Sequence, residues 1–237
     1  MKKLMTSIAL LSISSFAMAD QSPRNIVERP LTLLDSELQV SGALVYGEEH
    51  NGDDDWQLAP QIAYGITDNL SVSLAEIRYR FLAREGNKEG LELATSISYA
   101  GNLDVIGDDD DINAGQLSLI GKYVFSPNTA VTFSTSYVEW EEEKDLGLDK
   151  SEIRYSVGLQ QNLARNLTFL ANYEYRDLDD FIKNSANSGS VGLNYAFTKT
   201  TDLGIFAAYS DFDPLENGYA SGDMLEKAVG AYMSVRF

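Results

Sequence analysis

The chain ends Leu225-Glu226-Lys227-Ala228-Val229-Gly230-Ala231-Tyr232-Met233-Ser234-Val235-Arg236-Phe237. Leu225, Val229, Ala231, Met233, Val235 and Phe237 share one parity, and Glu226, Ala228, Gly230, Tyr232, Ser234 and Arg236 share the other. A period of two places side chains on alternate faces of an extended strand, whereas a helix repeats every 3.6 residues. The same alternation recurs upstream. Val191, Leu193, Tyr195 and Phe197 oppose Ser190, Gly192, Asn194 and Ala196; Ile153, Tyr155, Val157 and Leu159 oppose Arg154, Ser156, Gly158 and Gln160. After Pro30 there is no convincing helical periodicity, so the fold class is all-β.

A soluble sandwich also alternates, so the contents of the two faces must discriminate. Here the polar face is rich in Gly, Ser, Asn and Gln with scattered charge. The apolar face carries Tyr and Phe near strand ends, where a membrane barrel places aromatics at its two lipid–water interfaces. Lipid offers no hydrogen bonds, so every strand within it must pair on both edges, and the sheet must close. The expected architecture is a transmembrane, antiparallel, up-and-down β-barrel.

The connections set the strand count. Short turns at Ile66-Thr67-Asp68-Asn69, Ser126-Pro127-Asn128-Thr129, Ala164-Arg165-Asn166 and Thr198-Lys199-Thr200-Thr201 alternate with longer acidic stretches such as 48–54, 141–150, 177–188 and 211–224. In outer-membrane barrels short turns face the periplasm and long loops face outward. Strands are expected near 36–47, 55–65, 69–82, 89–100, 102–107, 113–125, 129–140, 151–163, 166–177, 188–197, 201–211 and 225–237. That makes about twelve, or ten if Leu103 to Gly107 stays in a loop. About ten tilted residues cross the hydrocarbon, so these lengths suffice. Pro60 cannot donate to a ladder, which predicts a bulge or a missing bond. The apolar parity flips between Leu74 and Ala75, which predicts a β-bulge that turns Glu76, Arg78 and Arg80 inward.

At the other end, Met1-Lys2-Lys3, an apolar run from Leu4 to Phe16 and the small-x-small Ala17-Met18-Ala19 read as a secretory signal peptide over 1–19. Residues 20–35, with Arg24, Arg29 and Pro30, lie in the periplasm or fold inward as a plug, and residues 36–237 form the barrel.

Composition excludes several functions. The 237 residues hold 18 Lys+Arg against 36 Asp+Glu, no Cys and one His, for a formal net charge of -18. Phosphate binding needs clustered basic residues, so nucleic acid is not an expected partner. Zero Cys removes disulfide and thiolate chemistry. The single His50 sits in an acidic loop, where it reads as solvated because catalysis would also need a nucleophile and an orienting partner to converge on it, so no catalytic residue and no enzyme activity is assigned. Asp53-Asp54-Asp55, Asp108-Asp109-Asp110-Asp111 and Glu141-Glu142-Glu143 are external acidic runs without the spacing of an EF-hand, so neither a metal site nor a cofactor is assigned.

Met233, Val235 and Phe237 match the terminal pattern of Gram-negative outer-membrane β-barrel proteins, whose last strand ends in Phe after alternating apolar residues. The chain resembles that class over the signal peptide and residues 36–237. It is similar in size and strand number to small monomeric porins, including acidic-sugar channels with a markedly basic lumen, a pattern from which this acidic chain departs. The resemblance implies an outer-membrane monomer surrounded by lipid and lipopolysaccharide, with those three residues as the signal read by the barrel-insertion machinery.

Parity places Glu76, Arg78, Arg80, Lys122, Arg154, Glu174, Arg176 and Arg236 in the lumen, where opposed charges sort solutes at a constriction. The expectation is passive diffusion of small hydrophilic solutes or ions, biased to cations or neutral molecules by an acidic mouth. The alternative is a non-conducting barrel whose acidic loops bind divalent cations, lipopolysaccharide or another cell.

Overall fold

A computed structural model describes residues 25–50, 52–86, 88–101, 112–142, 150–213 and 225–237. Its strands are β1 Leu38–Glu49, β2 Asp54–Thr67, β3 Leu70–Ser73, β4 Glu76–Leu82, β5 Gly90–Gly101, β6 Ile112–Ser126, β7 Thr129–Glu142, β8 Lys150–Ala164, β9 Leu167–Asp179, β10 Ser185–Ala196, β11 Thr201–Ser210 and β12 Leu225–Arg236. Each pairs antiparallel with its neighbours in sequence, and β1 pairs with β12, so the sheet is a closed twelve-strand barrel. The seam runs to the last residue: Phe237 N–H donates to the Leu38 carbonyl at 2.8 Å, and Leu38 N–H returns a bond of 3.1 Å.

The alternation read from the sequence becomes an inverted distribution of polarity. Outward positions such as Leu44, Leu58, Leu117, Ile205 and Val229 are exposed, while Glu92, Lys122, Glu152 and Arg176 are buried. A water-soluble protein does the reverse. Aromatics crown both ends of the outer wall. Tyr64, Phe125 and Phe197 lie at strand ends beside the short turns, and Tyr46 and Trp56 pack at 5.0 Å beside the long loops.

Two expectations about the strands need correction, and a third lies outside the described residues. The segment 69–82 is not one bulged strand: β3 and β4 form a tight hairpin, with Leu70 opposite Tyr79 and Val72 opposite Ile77. The parity flip at Leu74 and Ala75 is therefore the turn itself, since two residues outside the ladder reset the alternation as a bulge would. Its consequence for Glu76, Arg78 and Arg80 is as expected. The expected strand at 102–107 lies outside the described residues, so the twelve are reached by a different division of the chain. Finally, Pro60 interrupts nothing in the β1–β2 ladder, where it faces Gly42 in unbroken register. Gly65 N–H bonds towards β1, to the Glu37 carbonyl. N–H directions alternate along a strand, so Pro60 points its nitrogen away from β1. On that side β3 reaches only to the Ala63–Ser73 rung, so no ladder bond with β3 is lost.

Candidate functional site

The barrel interior has a charged layer at each end. At the short-turn end, residues 25–37 pass through the lumen before entering β1. Ile26, Val27, Leu31 and Leu33 are 2 % exposed or less, and Val27 packs on Val124 and Ala130 of the inner wall. Burying such a side chain yields about 1.5–3 kcal/mol. Ordering backbone costs roughly 1–2 kcal/mol per residue, which consumes that gain. The polar anchors therefore decide whether the segment stays.

Those anchors come from all round the ring. Lys122 Nζ donates to the carbonyls of Ile26 and Arg29 at 2.9 and 2.8 Å. Arg78 donates to the Leu31 carbonyl at 3.0 Å and Arg84 to that of Glu28 at 2.7 Å. Glu92 accepts from Leu31 N–H at 2.9 Å and from Arg84 at 3.0 Å. Arg29 reaches the opposite side, where Asp202 of β11 takes both guanidinium nitrogens at 2.7 and 2.9 Å. Asp202 also holds Arg236 at 3.0 Å. A segment bonded to β4, β6 and β11 at once, and buried, crosses the bore. Burial pushes the Glu28 carboxyl up from its ordinary value, against the pull of Arg84. Gly65 is essential to this path, because a Cβ there would lie 1.8 Å from the Leu34 carbonyl oxygen.

At the long-loop end the charges belong to the wall itself. Arg154 of β8 sits directly opposite Arg176 of β9, a repulsive cross-strand pair. Glu152 relieves it, with one oxygen 2.6 Å from Arg154 and the other 2.5 Å from Arg176. Glu152 also accepts from Trp140 Nε1 at 2.9 Å. Above this triad Trp140, Phe181 and Phe212 cluster with Leu178 and Ala186, and the Arg176 guanidinium lies 3.6 Å from the Phe212 ring centre.

Every lumen residue expected from parity faces inward, but they divide into groups. Arg78, Arg80, Lys122 and Arg236 belong to the short-turn layer. Glu76 neutralises Arg78 at 2.8 Å, and Arg80 donates to Asn69 and to the Asp68 carbonyl. Arg154 and Arg176 form the other layer. Glu174, half-buried one inward position from Arg176, makes no ion pair or hydrogen bond among the described residues. On the outer face Met233 and Phe237 are exposed, as an apolar terminal row requires.

Asp202, Arg84 and the aromatic cluster were missed, and Arg29 was named only as part of the segment 20–35. Asp202 was legible, since it has the same parity as the inward Gly204. Arg84, Phe181 and Phe212 lie in connections, where no alternation tells inside from outside.

No protein-family model matches the sequence, and no curated protein matches it. Solved structures do match the fold. The barrel superimposes on an outer-membrane channel from Pseudomonas putida F1 with a TM-score of 0.56 at 10% identity, covering 87% of this chain and 97% of that one. It also matches the NanC porin with a TM-score of 0.51 at 12% identity, over 84% of this chain and 98% of that one. At these identities the likeness establishes the fold alone, a closed antiparallel β-barrel.

Proposed function

We propose that the protein is a monomeric, porin-like channel of the Gram-negative outer membrane, passing small hydrophilic solutes by diffusion. One observation carries this reading: the barrel is apolar outside and charged inside, the distribution expected of a wall between acyl chains and water. It catalyses no reaction and holds no cofactor. Its bias is to cations or neutral molecules. The inward cations are met by carboxylates (Arg78 by Glu76, Arg84 by Glu92, Arg154 and Arg176 by Glu152, Arg236 by Asp202). Ion pairing thus offsets much of the lumen's positive charge, while exposed acids such as Asp53, Asp54, Asp179 and Asp180 at the long-loop end repel anions. Residues 25–37 close the short-turn end at rest, and conduction needs them to shift.

The complete burial of Ile26, Val27 and Leu31 favours a second reading, a non-conducting barrel that displays its acidic loops to divalent cations, lipopolysaccharide or another cell. Planar bilayers decide between them. The channel reading expects conductance steps, rare in the intact protein and frequent once the segment is unseated, with a reversal potential of cationic sign in a salt gradient. No steps from either form leaves the display reading standing.

A further inference from the structure

Between the two charged layers, the middle of the lumen has two unlike walls. Phe206 and Tyr232, near the middle of β11 and β12, face inward with the parity of Asp202 and Ser234. Neither ring is fully buried. Both lie against glycine. A Cβ on Gly204 would fall 2.2 Å from the Tyr232 ring, and one on Gly230 would fall 2.5 Å from Phe206 Cζ. The wall is thus recessed to receive two rings laid along it. The Tyr232 hydroxyl donates to Asn194 Oδ1 at 2.7 Å and fixes its ring, while Asn194 Nδ2 beside it is buried without a partner among the described residues.

Three to six strands further round the ring, on β6, β7 and β8, the wall is built of hydroxyls. Gln116 and Ser136 both donate to Ser118, at 2.8 and 2.9 Å, and Ser134 bonds Ser156 at 2.6 Å. The next inward position on that rung is Glu174 of β9, opposite Ser156, whose carboxylate accepts no hydrogen bond among the described residues.

We infer that this waist recognises a neutral saccharide, with one face of a sugar ring on Phe206 and Tyr232 and its hydroxyls turned to Ser134, Ser156 and Glu174. A pyranose has an apolar C–H face and an equatorial belt of hydroxyls, and so matches both walls. An apolar aromatic solute leaves the hydroxyl wall unmet, and a small inorganic ion gains little from two rings. Sites of this kind combine an apolar platform with a few polar groups that fix orientation. The inference deepens the channel reading and rests on it for transport; binding itself does not.

The test uses the full-length protein with maltotriose as probe. In bilayers, maltotriose blocks the current in a concentration-dependent way, and Phe206→Ala weakens the block about tenfold. Glu174→Gln, which leaves the rings untouched, weakens it less and is read alone if Phe206→Ala does not assemble. Block of equal strength in the wild type and both variants, or block by tetraethylammonium but not by maltotriose, overturns the inference while leaving the channel intact. Calorimetry on the detergent-solubilised protein separates the two failures. Maltotriose binding that weakens in the variants, with no conductance, sustains the site and sinks the channel. No binding and no block sinks the site.

Discussion

The two ends of the lumen hold similar charges by different means. At the short-turn end, Lys122 donates to the carbonyls of Ile26 and Arg29, and Arg78 and Arg84 each give one donor to the carbonyls of Leu31 and Glu28. These contacts belong to a segment that is not part of the wall. At the long-loop end Glu152, Arg154 and Arg176 bond one another, and all three are rooted in adjacent strands. The first arrangement can be vacated without unmaking the barrel; the second cannot. A charged layer is therefore either a closure or a brace, and what decides is whether its partners share the sheet.

The sharpest way to break this contrast is Gly65→Val. A side chain at 65 meets the Leu34 backbone, which has no flexible end to give way. The segment should be unseated, seen as loss of protease protection over 25–37 and as raised conductance, while the barrel's β-sheet circular dichroism persists. Glu152→Gln should act on the wall instead. Removing one partner of a buried ionic cluster costs about 3–5 kcal/mol, so urea unfolding in lipid shifts to lower concentration and ion preference moves towards anions. Asp202→Asn stands between the two, because its carboxylate joins Arg29 of the segment to Arg236 of the wall. The expected outcome is a partly unseated segment with more frequent openings and little loss of barrel stability. Glu28→Gln should have the smallest effect and the opposite sign. The raised Glu28 carboxyl favours the docked state below its unfolded pKa, and that contribution fades as pH rises through its folded value. A neutral side chain restores it, so openings become slightly rarer at neutral pH and lose part of their pH dependence.

Much of the barrel was legible because lipid and lumen sort side chains with a period of two. The rows of β8, β9 and β12 needed nothing more than that alternation. Its failure at Leu74 and Ala75 is instructive, because a bulge and a two-residue turn reset parity alike, and only the partner of Leu70 tells them apart. Glu76, Arg78 and Arg80 were thus placed correctly for a wrong local reason. In the charged layers the limit is different. Parity says that Lys122 and Arg176 point inward, but not that one grips a passing chain and the other a neighbouring strand. Residues 25–37 alternate with nothing, and Arg84 and Phe212 sit in connections. Their positions follow from long-range partners such as Asp202 and Glu92, which no local pattern encodes.

The seam between the first and last strands adds a constraint on assembly. Leu38 is bonded both ways to the terminal Phe237, and Glu37, just before it, is bonded to Gly65. The stopper thus begins where the hoop is joined. A two-residue slip of that joint would drag Arg29 and Leu31 some 7 Å along the bore, out of reach of Asp202 and Glu92. Only a barrel closed in its proper register can be corked, so the seated cork is a built-in gauge of correct closure.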